Sequence, residues 1–191
     1  MHNWYALTSK PQHEKSAAQV LLEMGFESFV ALYADRRKWS DRVKLVEFPL
    51  FPRYVFCRFR FPEQRGAVLH VPGILSIVKV GSQAAPVDEQ EMIHLQTTVR
   101  SGLEVRPHQF LKFGQWVELI DGPLRGVEGI LVDVEDTWKV IVSVTLLQRS
   151  VSVSIERKWV KVIREPSPFA ASQAGSLRAV ITRESSTPAR R

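Results

Sequence analysis

Near residue 111 the periodicity of this chain changes, and that change limits what it can fold into. Before it, strand signals alternate with helix signals; after it, only strand signals remain. A chain of 191 residues can hold one large domain or two small ones. The break therefore predicts a mixed α/β unit over 1–100, a Gly- and Pro-containing linker over 101–110, an all-β unit over 111–163 and a tail over 164–191.

Within the first hundred residues, Trp4 to Thr8 (WYALT) is an aromatic and apolar run that suits a buried strand. Ser9-Lys-Pro-Gln12 has the spacing of a capping box. It would open a helix with Ala17, Leu21 and Met24 on one face, stopped by Gly25. Phe26 to Tyr33 resumes as a strand, and residues 34–44 (ADRRKWSDRVK) read as an exposed loop or hairpin. Residues 53–61 (RYVFCRFRF) alternate with period two. Tyr54, Phe56, Arg58 and Arg60 face one way, and Val55, Cys57, Phe59 and Phe61 the other, a strong strand signal. Pro62 to His70 suits a short helix, Pro72-Gly73 a turn and Ile74 to Val80 a strand. Asp88-Glu-Gln-Glu91 is a second capping box, opening a helix with Met92, Leu95 and Val99 on one face that ends near Gly102.

Beyond residue 111, the β-rich runs are 115–120, 129–134, 138–144, 150–155 and 159–163, separated by turn signals. Five short strands suggest a small barrel, because closing a sheet removes its exposed edges. The expected class is α+β. Residues 164–191 are rich in Ser, Ala, Pro and Arg, the composition of a disordered tail.

The chemistry is that of a binding protein. Cys57 stands alone, which excludes an intramolecular disulfide and a multi-cysteine zinc site. Mid-strand, it suits a small buried hydrophobe better than a nucleophile. The five histidines, at 2, 13, 70, 94 and 108, lack the i,i+4 pairing of a helical metal site. The glycines of GPLRGVEG (122–129) match neither a phosphate loop nor a dinucleotide fingerprint. No catalytic set, metal or cofactor is expected. No apolar run reaches the roughly 18 residues of a membrane span, and MHNWYALTSKP lacks the features of a signal peptide. The expectation is a cytoplasmic protein with no membrane contact. The formal net charge is +6. Residues 1–100 carry an excess of three basic residues and so do residues 164–191, whereas 111–163 is neutral. A basic chain makes nucleic acid a plausible neighbour; the neutral second half speaks against a dedicated nucleic-acid reader there.

Two segments are more specific than composition. One is Pro49-Leu-Phe-Pro-Arg-Tyr-Val-Phe56, followed by Val71-Pro-Gly-Ile74. The other runs from Phe113 through Asp121-Gly-Pro-Leu-Arg-Gly126 to Ile130, followed by Val142-Ser-Val-Thr-Leu-Leu-Gln-Arg-Ser150. In this order, with Trp4-Tyr5 ahead of them, they resemble the NusG family of transcription elongation factors over residues 3–163. The resemblance implies an N-terminal α/β sandwich with an antiparallel sheet, called NGN, and a C-terminal SH3-like five-strand β-barrel, called KOW. It implies binding to the clamp helices of the largest catalytic RNA polymerase subunit, with reduced pausing. It also implies recruitment of Rho or a small-subunit ribosomal protein through KOW. The factor would work as a monomer, associated with the nucleoid through polymerase.

Carried over residue by residue, the polymerase-binding pattern falls on Phe51, Pro52 and Tyr54, with Phe56 and Val80 as companions. The alternative for Phe51, Tyr54 and Phe56 is the core of the sheet. The KOW partner positions fall on Leu124, Val127, Leu146, Leu147 and Arg149; Leu146 has the alternative of pointing inward. Arg53 and Gln148 each stand where the family pattern usually has glycine. The first departure leans towards a specialised antiterminator of the RfaH or UpxY type. Residues 138–155, rich in Val, Ile, Ser and Thr, favour strands over an alternative helix. Arg36, Arg37, Lys38, Trp39, Arg42 and Lys44, joined by Lys10, make the best nucleic-acid candidate. Cations would contact the phosphates of non-template or upstream DNA, and Trp39 could stack on an unpaired base. The bland alternative there is a solvated hairpin. For the whole chain, the rival reading is a KOW-containing RNA- or ribosome-binding module that does not bind polymerase.

Overall fold

The structure is a computed structural model and describes residues 1–38, 43–108, 114–134 and 137–164. The N-terminal elements are β1 (Asn3–Ser9), α1 (Glu14–Glu23), β2 (Glu27–Phe29), β3 (Leu32–Lys38), β4 (Val43–Pro49), β5 (Tyr54–Phe59), α2 (Arg65–Leu69), β6 (Ile74–Ile77), β7 (Lys79–Val80), β8 (Gln83–Ala84) and α3 (Glu89–Arg100). Four of the strands form an antiparallel sheet in the order β2-β5-β1-β6. β3 pairs with β4, and β7 with β8, as separate hairpins.

The alternation expected along β5 decides how this sheet is covered. Phe56 lies opposite Ala6, and Arg58 opposite Trp4, on one face; Val55 lies opposite Leu7, and Cys57 opposite Tyr5, on the other. Both faces are buried. Val55, Cys57 and Phe59 pack with Ala17 and Leu21 of α1 and Val68 of α2. Trp4, Ala6 and Phe56 pack with Met92 and Leu95 of α3. Burying side chains of this size contributes about 1.5–3 kcal/mol each, which explains why the central strands carry so few polar residues.

Helix α1 starts later than its sequence suggests. Ser9 still belongs to β1, opposite Ile74, and its N–H donates to Arg53 O at 2.9 Å; the Lys10 N–H donates to Gly73 O at 2.8 Å. The chain must first turn through Pro11 and Gln12, which takes a φ of 63°. The helix opens at Glu14 with no side-chain cap. Pairing with distant strands has overridden the local capping signal. The second capping box is half realised. Asp88 accepts from the N–H groups of Gln90 (2.8 Å) and Glu91 (3.1 Å). The Glu91 carboxylate instead accepts the Thr145 N–H at 3.0 Å, from the C-terminal half of the chain.

That half contains β9 (Val105–His108), β10 (Gln115–Leu119), β11 (Glu128–Val134), β12 (Thr137–Val144), β13 (Arg149–Ser154) and β14 (Val160–Arg164), with short 3-10 turns at Thr145–Leu147 and Arg157–Trp159. The strands form one antiparallel sheet in the order β14-β10-β11-β12-β13-β9. Five of the six lie where the β-rich runs place them. The sixth corrects the linker expectation: within 101–110, residues 105–108 pair with β13, Val105 opposite Val153. Pro107 is tolerated because β9 is a terminal strand whose outer side needs no donor.

The two halves share an apolar seam. Helix α3 packs against β1 on one side and β12 on the other, and a single buried cluster runs from Trp4 and Phe56 through Leu95 to Val140 and Val142. Arg106 on β9 adds a polar clasp. Its Nη1 lies 3.2 Å from Asp35 Oδ1 on β3, and its guanidinium sits 5.4 Å from the centre of the Tyr33 ring.

Candidate functional site

The segment between β4 and β5 carries the first group of candidate residues. Leu50 donates its N–H to Ala31 O at 2.8 Å, and Tyr54 donates to Phe51 O at 3.2 Å, which closes a turn over residues 51–54. Arg53 has a φ of 68°. A left-handed backbone costs a residue with a side chain about 1–2 kcal/mol, which is the physical reason for a glycine preference at this position. Here the strained residue is held from both ends. Its N–H donates to the buried Glu14 carboxylate at 2.7 Å, and its Nε reaches Ser9 O at 3.4 Å. Arg53→Gly keeps the first contact and removes the strain, so it should raise stability by roughly 0.5–1 kcal/mol. Arg53→Val should lower it, because a β-branched residue fits this region worst. Urea midpoints of the three proteins check the order; a glycine variant less stable than the parent would count against it.

The turn separates its aromatic residues by depth. Phe51 is 2% exposed and Phe56 is fully buried. Their rings meet edge to face at 6.0 Å, and Phe29 lies 6.3 Å from Phe56. These two candidate contact residues are core, their alternative reading. Pro52 is exposed and Tyr54 half-buried at the surface above them. Val80 is 65% exposed on β7 and lies outside the aromatic cluster. Beside the turn, a groove of about 670 Å³ runs to the base of the β3–β4 hairpin, lined by Pro11, Lys15, Tyr33, Phe48 and Pro52 among others. The hairpin and the aromatic turn, read separately from the sequence, thus border one groove.

The β3–β4 hairpin realises the expected exposed loop. Its register sets Arg36 opposite Leu45, Arg37 opposite Lys44 and Lys38 opposite Val43. Arg36 and Lys44 are exposed, as are the apolar Val43 and Leu45. Trp39 and Arg42 lie outside the described residues. Lys10 is exposed between β1 and α1, ahead of the helix rather than in its first turn. Lys15 Nζ meets Glu47 Oε2 at 2.7 Å and ties the hairpin to α1. Sequence reasoning missed Phe29, Tyr33 and Arg106. Phe29 is an isolated aromatic in a short strand, and the role of Arg106 depends on Asp35, 71 positions away. Glu104 first, and Asp35 second, hold its guanidinium in the charged form.

In the C-terminal sheet, two expected contact residues prove to be interior. Leu124 is fully buried and Val127 is 1% exposed. The Gly126 N–H donates to Leu119 O at 2.7 Å, and Val127 donates to Leu124 O at 3.0 Å. This tight turn folds both side chains back over the sheet, so an apolar residue in a turn was not a surface residue. Leu146 and Leu147 are half-buried against the seam with α3, and Arg149 is exposed at the start of β13. Gln148 takes a φ of 49°, which accounts for the glycine preference there as well.

Among the described residues, no three or more His, Cys, Asp or Glu side chains group as a metal site. Cys57 is buried, and desolvation, helped by Glu27, pushes its thiol up to about 12, which leaves it protonated at neutral pH. No helix in the described residues is long and apolar enough to cross a membrane.

A structure described as "Domain interaction in Thermotoga maritima NusG" is similar at 21% identity, over 86% of this chain and 98% of that one, with a TM-score of 0.49. Two conformations, B and A, of an MjSpt4:Spt5 complex are similar at 14% identity, over 86% and 85% of this chain and 99% of theirs, with TM-scores of 0.31 and 0.29. No curated protein matches the chain. Residues 2–96 match the family model NusG, described as transcription termination factor nusG. That match takes in the four-strand sheet, the aromatic turn, the basic hairpin and most of α3, and so the chain belongs to the NusG family of non-enzymatic transcription factors.

Proposed function

We propose that this protein is a transcription elongation and antitermination factor that seats on the clamp helices of RNA polymerase and reduces pausing. The observation that carries the reading is the depth order of the aromatic turn. Phe51 and Phe56 form a rigid buried floor, while Pro52 and Tyr54 reach the surface above it. A tyrosine held this way buries large area against a partner at low entropic cost and keeps its hydroxyl hydrated. Val80 supplies a separate exposed apolar side chain. Tyr54→Ala should weaken binding to a purified clamp coiled coil by at least about tenfold, the scale of an interface anchor. Titration by fluorescence or calorimetry measures it, and an unchanged affinity would sink the proposal.

The hairpin then faces nucleic acid. Arg36 and Lys44 are placed for the phosphates of non-template or upstream DNA, a contact without sequence readout and with strong salt dependence. Recruitment of Rho or a small-subunit ribosomal protein falls to Leu146, Leu147 and Arg149. The two leucines also line the seam with α3, so partner binding and the contact between the halves draw on the same surface. The factor acts in the cytoplasm, at the nucleoid, as a monomer and without catalysis. Binding to ribosomes that survives removal of residues 1–100, with no binding to polymerase, would favour the ribosome-binding alternative instead.

A further inference from the structure

We propose that a groove between α2, β6 and the β7–β8 hairpin docks an acidic, apolar-containing peptide segment of a partner protein. This goes beyond the polymerase reading and uses none of the residues assigned to it. The groove measures about 670 Å³, with a floor of Phe61, Leu69, Leu75 and Ile77 and with Arg65 and Lys79 along it.

The floor presents two exposed apolar side chains together with the buried Ile77 and the half-buried Leu69. Leu75 is 49% exposed and Phe61 36%. The sequence alternation set Phe61 on the face of Val55, Cys57 and Phe59, but β5 ends at Phe59, and the Phe61 ring only leans on Tyr5 at 5.7 Å. Concentrated exposed apolar side chains within a concave surface mark a binding site more often than chance exposure does.

The backbone adds a polar opportunity. β6 is an end strand of the first sheet. The Val78 N–H donates to Ala6 O at 2.8 Å, and Ile77 lies opposite Leu7. Alternation along an antiparallel ladder then turns the N–H and C=O of Ile77 outward, to the open side. An irregularity in the pairing falls at Leu75, between Ser76 opposite Thr8 and Ile74 opposite Ser9. It sets the Leu75 side chain at the groove rather than in the ladder.

Charge selects the occupant. No carboxylate lines the groove. Arg65 and Lys79 are exposed, and neither makes an ion pair among the described residues. A second copy paired groove to groove would bring like charges together. A nucleic acid would find two cations and an aliphatic floor, where single strands are held by denser charge and stacked aromatic rings. An acidic segment that also carries aliphatic side chains satisfies both the floor and the rim.

The probe is a short synthetic peptide alternating leucine with glutamate, titrated into the full-length protein and followed by amide NMR. The expected result is saturable shifts at Leu75, Ile77 and Lys79. The double variant Arg65→Glu/Lys79→Glu should weaken binding roughly tenfold and take up the matching leucine–lysine peptide instead. Both positions are exposed, and an unchanged spectrum elsewhere shows that the variant is folded. Shifts absent at these three amides at millimolar peptide, or equal binding of both peptides to the parent protein, would overturn the proposal. Tighter binding of a thymidine oligonucleotide at the same amides would overturn it too, in favour of a nucleic-acid site.

Discussion

Phe56→Ala should destabilise the protein by about 3–5 kcal/mol, the cost of removing a large aromatic side chain from a closed interior. Phe56 is fully buried, ringed by Phe29 and Phe51, and packed in one cluster with Met92 and Leu95 of α3. Native domains are stable by only about 5–15 kcal/mol, so the variant should unfold at a much lower urea concentration. Tyr54→Ala, two residues away on the same strand face but half-buried, should shift the midpoint far less. The contrast matters for function. Loss of polymerase binding in Phe56→Ala would report a damaged fold, and only the Tyr54 variant reads the interface. A Phe56→Ala protein within about 1 kcal/mol of the parent would mean that this ring is not core, and would return it to the list of contact residues.

The second large effect belongs to the C-terminal sheet. Gly129 on β11 leaves no room for a side chain. A Cβ there would lie 2.5 Å from the Ile141 carbonyl oxygen and 2.5 Å from a Val140 methyl on the neighbouring β12. The carbonyl belongs to the strand ladder and cannot step aside without breaking it. Overpacking usually costs about 1–3 kcal/mol, and with backbone as the obstacle Gly129→Ala should reach or exceed the top of that range. Hydrogen exchange should show it as faster opening of β11, β12 and β13 than of β1 and β5. Because α3 packs on β12, protection at the start of α3 should fall as well. Unchanged exchange across β11 and β12 would show that the strands can separate at little cost.

Much of this architecture was legible in the residues alone. Period-two alternation along β5 set which side chains share a face, since a pleated strand has no other way to arrange them. Asp88 announced the start of α3, because a short acceptor just ahead of a helix satisfies N–H groups that nothing else can reach. The change of pattern near residue 111 separated mixed α/β from all-β, and the Pro49–Phe56 segment marked the family. Each of these signals acts over a few residues and survives whatever surrounds it.

What the chain order could not decide were the matters settled by distant partners. Ser9 looked like a helix cap, but Arg53 O and the strand at Ile74 hold it in β1. Residues 105–108 looked like a linker until β13 supplied hydrogen bonds. The family resemblance put Leu124 and Val127 among the partner contacts, and the turn folds them inward. For Phe51, Tyr54 and Phe56, sequence left both contact and core open; α3, arriving from nearly forty positions downstream, covers the sheet face that makes Phe56 floor and leaves Tyr54 at the rim. Local pattern encodes the conformation of a segment because the forces involved are local. Burial is a property of what comes to lie opposite, and only the closed tertiary structure determines that.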